Sequence, residues 1–229
     1  MEAERVLVWH FLPSDGRLQY GIRRKVKAGS TYSCKGPLVL CRNGMHASER
    51  ARDALRYAPG PILCRVELSG EILREPNKLC ARRRKVLAMA DATPLLHEFA
   101  CWCAENALRT ARVDDRRCWA AIETKRRWLK GEATDKEVEA ARYEAHGAGS
   151  YVTWVAAASD AASEAASEAA TAAASAEAWN AGLNAGWDAG WNADWNADWN
   201  VWWDAWSAAS DAQNSYLEDK VRELLGVDV

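Results

Sequence analysis

The sequence predicts an α+β protein: a small β-rich N-terminal domain with one short helix, then an all-α helical array ending in a long Ala/Trp tetrad-repeat helix. Three observations predict it. Up to about residue 90, apolar residues recur at period two or in short β-branched and aromatic runs, the pattern of strands. From residue 91 the start and stop signals of helices take over. Between Ser159 and Ser210, fifty-two residues divide into thirteen tetrads, and four residues is close to one helical turn. The chain therefore divides into residues 1–90, a ligand- or partner-recognition domain; 91–150, a helical array; and 151–229, the repeat with a C-terminal helix.

The elements follow in order. Arg5-Val-Leu-Val-Trp-His-Phe11 is a strand, ended by the turn signal Pro13-Ser-Asp-Gly16. Ser48 is placed to cap a short helix, Glu49 to Tyr57, which Pro59-Gly60-Pro61 stops. In Ile62 to Leu68 the residues Cys64, Val66 and Leu68 alternate with Arg65 and Glu67, so this is a half-buried strand with its charges outward. Thr93 followed by Pro94 opens a helix through about Arg112. Asp114 or Asp115 opens the next, which runs to about Lys130 ahead of Gly131. Thr134-Asp-Lys-Glu137 has the form of a capping box for a third helix ending near Gly147. Tyr216 to Leu225 is a closing helix before Gly226.

The repeat carries its own packing argument. Its first column passes from serines to a row containing Trp179, Trp187, Trp191, Trp195, Trp199 and Trp203, while Gly182, Gly186 and Gly190 continue a strip of alanines. Each tetrad advances about 40° around a helix, so no single straight partner covers the tryptophans. Ala and Gly at i, i+4 spacing allow close approach of helix axes. Trp187, Trp191, Trp195 and Trp199 are thus expected to be buried, with Gly182, Gly186 and Gly190 facing the nearest helix of this chain or of a second copy. The segment is one helix or two, broken near the glycines.

A net charge of −2 hides a polarised chain: residues 1–142 hold 28 of the 30 Lys and Arg against 18 acids, whereas residues 143–229 hold 2 against 14. Such asymmetry fits two halves that attract one another or a basic half that meets an acidic partner. Arg82-Arg-Arg-Lys85, Arg23-Arg-Lys25 and Lys125-Arg-Arg127 are the basic clusters, but they lack the aromatic interleaving or helix-turn-helix spacing that specifies nucleic acid. Seven cysteines without a CxxC pair suit a reducing cytoplasm; His97, Cys101 and Cys103 lie close together, but only His97 and Cys101 share a helical face, so no metal or other cofactor is expected. Polar residues recur about every turn from 159 onward, which excludes a membrane-spanning helix. There is no phosphate-binding Gly-rich loop, nucleophile elbow or HExxH motif.

Three resemblances follow from particular residues. Trp9-His10-Phe11, Leu40-Cys-Arg-Asn-Gly-Met-His-Ala-Ser48, Asp53-Ala-Leu-Arg-Tyr57 and Cys64-Arg-Val-Glu-Leu-Ser-Gly70 resemble an uncharacterised domain family frequent in bacteriophage proteins. Asp115-Arg116, Trp128-Leu-Lys-Gly-Glu132, Glu139-Ala-Ala-Arg142 and Ala145-His146 resemble a helical immunity-protein domain of bacterial toxin systems, which implies binding rather than chemistry. Val8-Trp9-His10, Gly44-Met45-His46-Ala47-Ser48 and Val66-Glu67-Leu68-Ser69-Gly70 are similar to ADP-ribosyltransferases of the His-Tyr-Glu type. That similarity implies a nucleotide site at His10, His46 and Tyr57. The strand expected to carry the catalytic Glu, Lys78 to Ala88, contains none, so binding without transfer is implied.

The function expected is a cytoplasmic, phage-related, non-enzymatic interaction protein of counter-defence or toxin-neutralising type, with a protein partner and self-association through its helices. The alternatives are a degenerate ADP-ribosyltransferase-like nucleotide binder, and a structural spacer or virion-associated rod.

Overall fold

A computed structural model of the chain describes residues 4–19, 23–148, 184 and 199–226, with side chains in the last stretch from position 207. The Trp column from 179 to 195 and Gly182, Gly186 and Gly190 lie outside the described residues. The chain divides into two compact units, Met1–Thr93 with Tyr216–Val229, and Pro94–Ser215. An antiparallel sheet occupies the N-terminal part and helices follow it, so the fold is α+β.

The first unit is built on a long hairpin. Strands β4 (Ile62–Glu75) and β5 (Lys78–Asp91) pair antiparallel, and β1 (Arg5–Leu12) pairs with β4. On the other side β5 takes two short strands at different heights: β2 (Thr31–Ser33) opposite Arg83 to Lys85, and β3 (Met45–Ala47) opposite Leu79 to Ala81. Register shifts after Arg65 and Ser69 let the hairpin bend. Beyond β3, Ser48 exchanges two backbone hydrogen bonds with Trp9, of 2.8 and 3.0 Å. The sheet thereby curls until the β3 side of β5 meets the free edge of β1.

Paired residues lie on one face, and the register defines the inner rows: Val6–Leu68–Arg84–Tyr32, Val8–Val66–Val86 and His10–Cys64–Met89. Val8, Val66, Leu68 and Val86 are buried there together with Val26, Ala47, Leu79 and Ala81. Burying side chains of this kind contributes about 1.5–3 kcal/mol each. Two strongly polar side chains, His10 and Arg84, lie in those apolar rows.

The other face is covered too, which the alternation of charges did not suggest. Trp9, Phe11, Leu63 and Arg65 are buried on it, as are Ala51, Ala54 and Leu55 of helix α1 (Ala51–Arg56). Arg65, expected outside, is only 7% exposed, with its guanidinium 4.3 Å from the centre of the Trp9 ring. Ser48 does not cap α1: it is bonded to Trp9, and the residue at the N-cap is Arg50, whose side chain makes no cap hydrogen bond. The first helical N–H, that of Ala51, donates instead to Glu218 Oε1 at 3.2 Å.

The helices of the second unit begin where local signals place them. Helix α2 (Thr93–Thr110) has Asp91 Oδ1 accepting from the Thr93 N–H at 2.9 Å. Helix α3 (Arg116–Leu129) is capped by Asp115, whose side chain accepts from Arg117 N–H. Helix α4 (Asp135–Gly147) carries the complete Thr134/Glu137 capping box. Arg126 of α3 reaches both Glu98 and Glu105 of α2, at 2.8 and 3.0 Å, and Trp128 Nε1 donates to Asp135 Oδ1 at 2.8 Å. Helix α5 (Trp199–Leu225) is continuous, so Trp199 does lie on a helix and the separate closing helix is the end of a longer one. No helix among the described residues is long and apolar enough to cross a membrane.

Candidate ligand site

Of the three residues expected as nucleotide contacts, His10 lies on the inner face of the first unit and His46 meets that face through its backbone carbonyl. His10 sits on β1 opposite Cys64, and His46 on β3 opposite Cys80. Arg84, at the centre of β5, donates from Nη1 to the His46 carbonyl at 2.8 Å, and its charge acts on both imidazoles. The His46 charge also acts on His10. The cluster is thus His10, Arg84 and the carbonyl of His46, with Cys64 and Tyr32 as the titratable groups that act on Arg84.

Burial, then the Arg84 charge, then His46, hold His10 well below the ordinary histidine value, so the ring is neutral at pH 7. It makes no side-chain hydrogen bond among the described residues. His46 is lowered by burial and then by Arg84, while a hydrogen bond to the Gly44 backbone opposes the shift. Its Nε2 accepts from Cys41 N–H at 3.0 Å, which makes Nδ1 the protonated nitrogen. His46 therefore braces the turn before β3, with its ring on the face opposite the core-facing Met45 and Ala47, and only its carbonyl meets Arg84. Gly44 makes that turn possible: it has φ +146°, and a Cβ there would stand 2.1 Å from Cys80 Sγ.

Arg84 is 4% exposed. Burial pulls its pKa down to about 10, against opposing pulls from Cys64 and Tyr32, so it remains cationic at neutral pH. A displacement of that size corresponds to roughly 3 kcal/mol held against the charged form. Its Nε is buried without a hydrogen-bond partner.

Tyr57 stands apart. It is 46% exposed, its hydroxyl is 3.0 Å from Asn77 Oδ1, and its ring lies 5.4 Å from Lys78 Nζ. That ammonium donates to Cys41 Sγ at 2.9 Å and pairs with Glu75 at 3.0 Å, and its charge is felt at His46. Tyr57 is linked to the cluster through Lys78 and Cys41 rather than belonging to it.

Arg84 is not distinguished by the sequence alone, where it is one member of the Arg82–Lys85 charge run. The signal was present in the period of two: Arg83 and Lys85 are exposed, whereas Arg84 shares the inner face with Tyr32 and Leu68. An open groove of about 530 Å³ in the second unit is lined by Glu105, Trp119, Ile122, Arg126 and Arg127 among others. Its central cation, Arg126, is already committed to Glu98 and Glu105.

The architecture and the cluster define a small curled sheet with a polar site on its inner face. Residues 18–98, from before β2 to the first turns of α2, match a family described as a domain of unknown function (DUF7666). The match includes His46, Tyr57 and Arg84 and begins after His10. No curated protein and no solved structure matches the chain.

Proposed function

We propose that this chain is a non-enzymatic recognition protein whose N-terminal unit binds a ligand at the His10–His46–Arg84 cluster. The observation that carries the reading is the identity of the third residue. On the strand where the similarity to ADP-ribosyltransferases calls for a carboxylate to polarise a ribose, the inward residue that meets the His46 carbonyl is a buried arginine. A cation at that point attracts a ligand without supplying the acid that transfer requires. Calorimetry of the intact chain with NAD and ADP-ribose tests this. Binding without release of nicotinamide is expected, and turnover of NAD would overturn it.

The wider role we propose is capture of a protein partner, of the counter-defence or toxin-neutralising kind implied by the bacteriophage and immunity-domain resemblances. The continuous 27-residue α5 supports the accompanying idea of helix-mediated packing or self-association. Mass measurement of the intact protein in solution, alone and after recovery from cells, is the test; a monomer with no stoichiometric companion would remove this part of the reading.

A further inference from the structure

Several arginine side chains among the described residues meet a carboxylate. Arg126 has Glu98 and Glu105, Arg82 has Glu71, and Arg74 has Glu4 and Glu49. Arg65, covered by Trp9, still feels the charge of Glu218. Arg84 is different: the titratable groups acting on it are Cys64 and Tyr32, neither of which is an acid.

Its surroundings confirm the imbalance. Along its row stand Leu68 and Val6 on one side and Tyr32 on the other. The Tyr32 hydroxyl is already used, donating to Lys25 O at 3.4 Å and accepting from Lys27 N–H at 3.2 Å. One guanidinium nitrogen is bound to the His46 carbonyl, a neutral acceptor, and Nε is buried with no partner. A guanidinium offers five donors in a planar fork suited to two oxygens of one anion. Buried without a counter-charge it is costly, and an anion received in the fork removes both the unpaired charge and the orphan donor.

We infer that the ligand of the first unit is a compact oxyanion, a phosphoryl or carboxylate group, received by the free side of the Arg84 guanidinium with the His10 ring as second donor. This rests on the ligand-site reading above and specifies its chemistry. His10 is only partly buried, so the inner face reaches solvent on its side. His10 has no competing side-chain hydrogen bond among the described residues.

The test uses the full chain with ¹⁵N-labelled arginine, followed through its Nε–H resonances during titration with inorganic phosphate, acetate, ADP-ribose and the uncharged nucleoside adenosine. The Arg84 resonance is assigned by its loss in Arg84→Lys. It should shift with the anions and stay in place with adenosine; phosphate against acetate tells a phosphoryl preference from a carboxylate one. Arg84→Lys keeps the charge but not the fork, so it should stay folded and bind the preferred anion about tenfold or more weakly. Arg84→Met removes the buried charge, so without ligand it should melt no lower than the wild type, and anions should no longer raise its melting temperature.

If adenosine stabilises wild type and Arg84→Met equally while the anions do nothing, the ligand site stands and the oxyanion falls. If no compound moves the Arg84 resonance or the melting temperature, both readings fall. Shifts confined to other arginines would also overturn the inference.

Discussion

A single residue, Arg84, sets the chemistry of the inner face, and the histidines beside it give that face a pH dependence. His10 and His46 both have folded-state pKa values below the ordinary 6.5. Between that value and their lowered values the unfolded chain binds more protons than the folded one, so stability falls as pH drops. The urea midpoint should therefore decrease from pH 7.5 to pH 5, and His10→Gln should flatten that slope; an unchanged slope would show that His10 is solvated. At the other end burial pushes the Cys64 thiol from 9.0 up to about 12, so stability should fall as pH rises through that interval, and Cys64→Ala should remove this alkaline loss. Gly44 belongs to the same neighbourhood. Gly44→Ala would drive a methyl into Cys80 Sγ from a backbone conformation that L side chains rarely adopt, and should cost about 2 kcal/mol or more in chemical denaturation.

At the scale of elements, helices begin in two ways. The capping box of α4 uses residues three apart, with Glu137 Oε2 accepting from Thr134 N–H at 2.7 Å, and the chain order alone specifies it. Helix α1 has no such local cap and borrows Glu218, 167 residues away from Ala51 in sequence. Thr134→Ala and Glu218→Ala should each cost about 0.5–2 kcal/mol, by the ordinary value of an N-cap. They act in different places: the first should raise amide hydrogen exchange at the start of α4, and the second at the start of α1. Exchange at α1 that is unaffected by Glu218→Ala would mean that Ala51 N–H is satisfied otherwise.

For the whole molecule, the consequential feature is that the two ends of the chain share one unit. Tyr216–Val229 belongs with Met1–Thr93, and Leu217 and Val221 are fully buried in α5. The change of pattern at about residue 90 marks residues 1–90 as a domain, which implies that they fold by themselves. With two aliphatic side chains worth about 1.5–3 kcal/mol each supplied by the C-terminal segment, a fragment ending at Thr93 should be several kcal/mol less stable than the intact unit. A peptide spanning 216–229 added in trans should recover part of that loss, and should lose the effect when Leu217 and Val221 are both changed to Ala. Equal melting of the fragment with and without the peptide would show that the N-terminal core is self-sufficient.

Features governed by near neighbours were legible in the sequence. The strand at Arg5, the Asp115 cap, the Thr134 box and the stop at Gly131 each depend on residues within a few positions, where propensity and capping act. The pairing of β5 with two separate short strands, the closure of Ser48 onto Trp9, the burial of Arg65 and the Glu218 cap depend on which distant segments meet. The candidate site shows the same division. His10 and His46 stand out in local strings, but only the register of the strands turns Arg84 inward to the face of His10 and leaves the His46 ring on the other, because one residue of slip along a strand reverses its face. Amino-acid order determined the α+β class, the starts of α2 to α4 and the choice of His10 on the inner face; the tertiary structure decided which arginine in a run of charges is buried, because burial is a property of the paired sheet and not of the run.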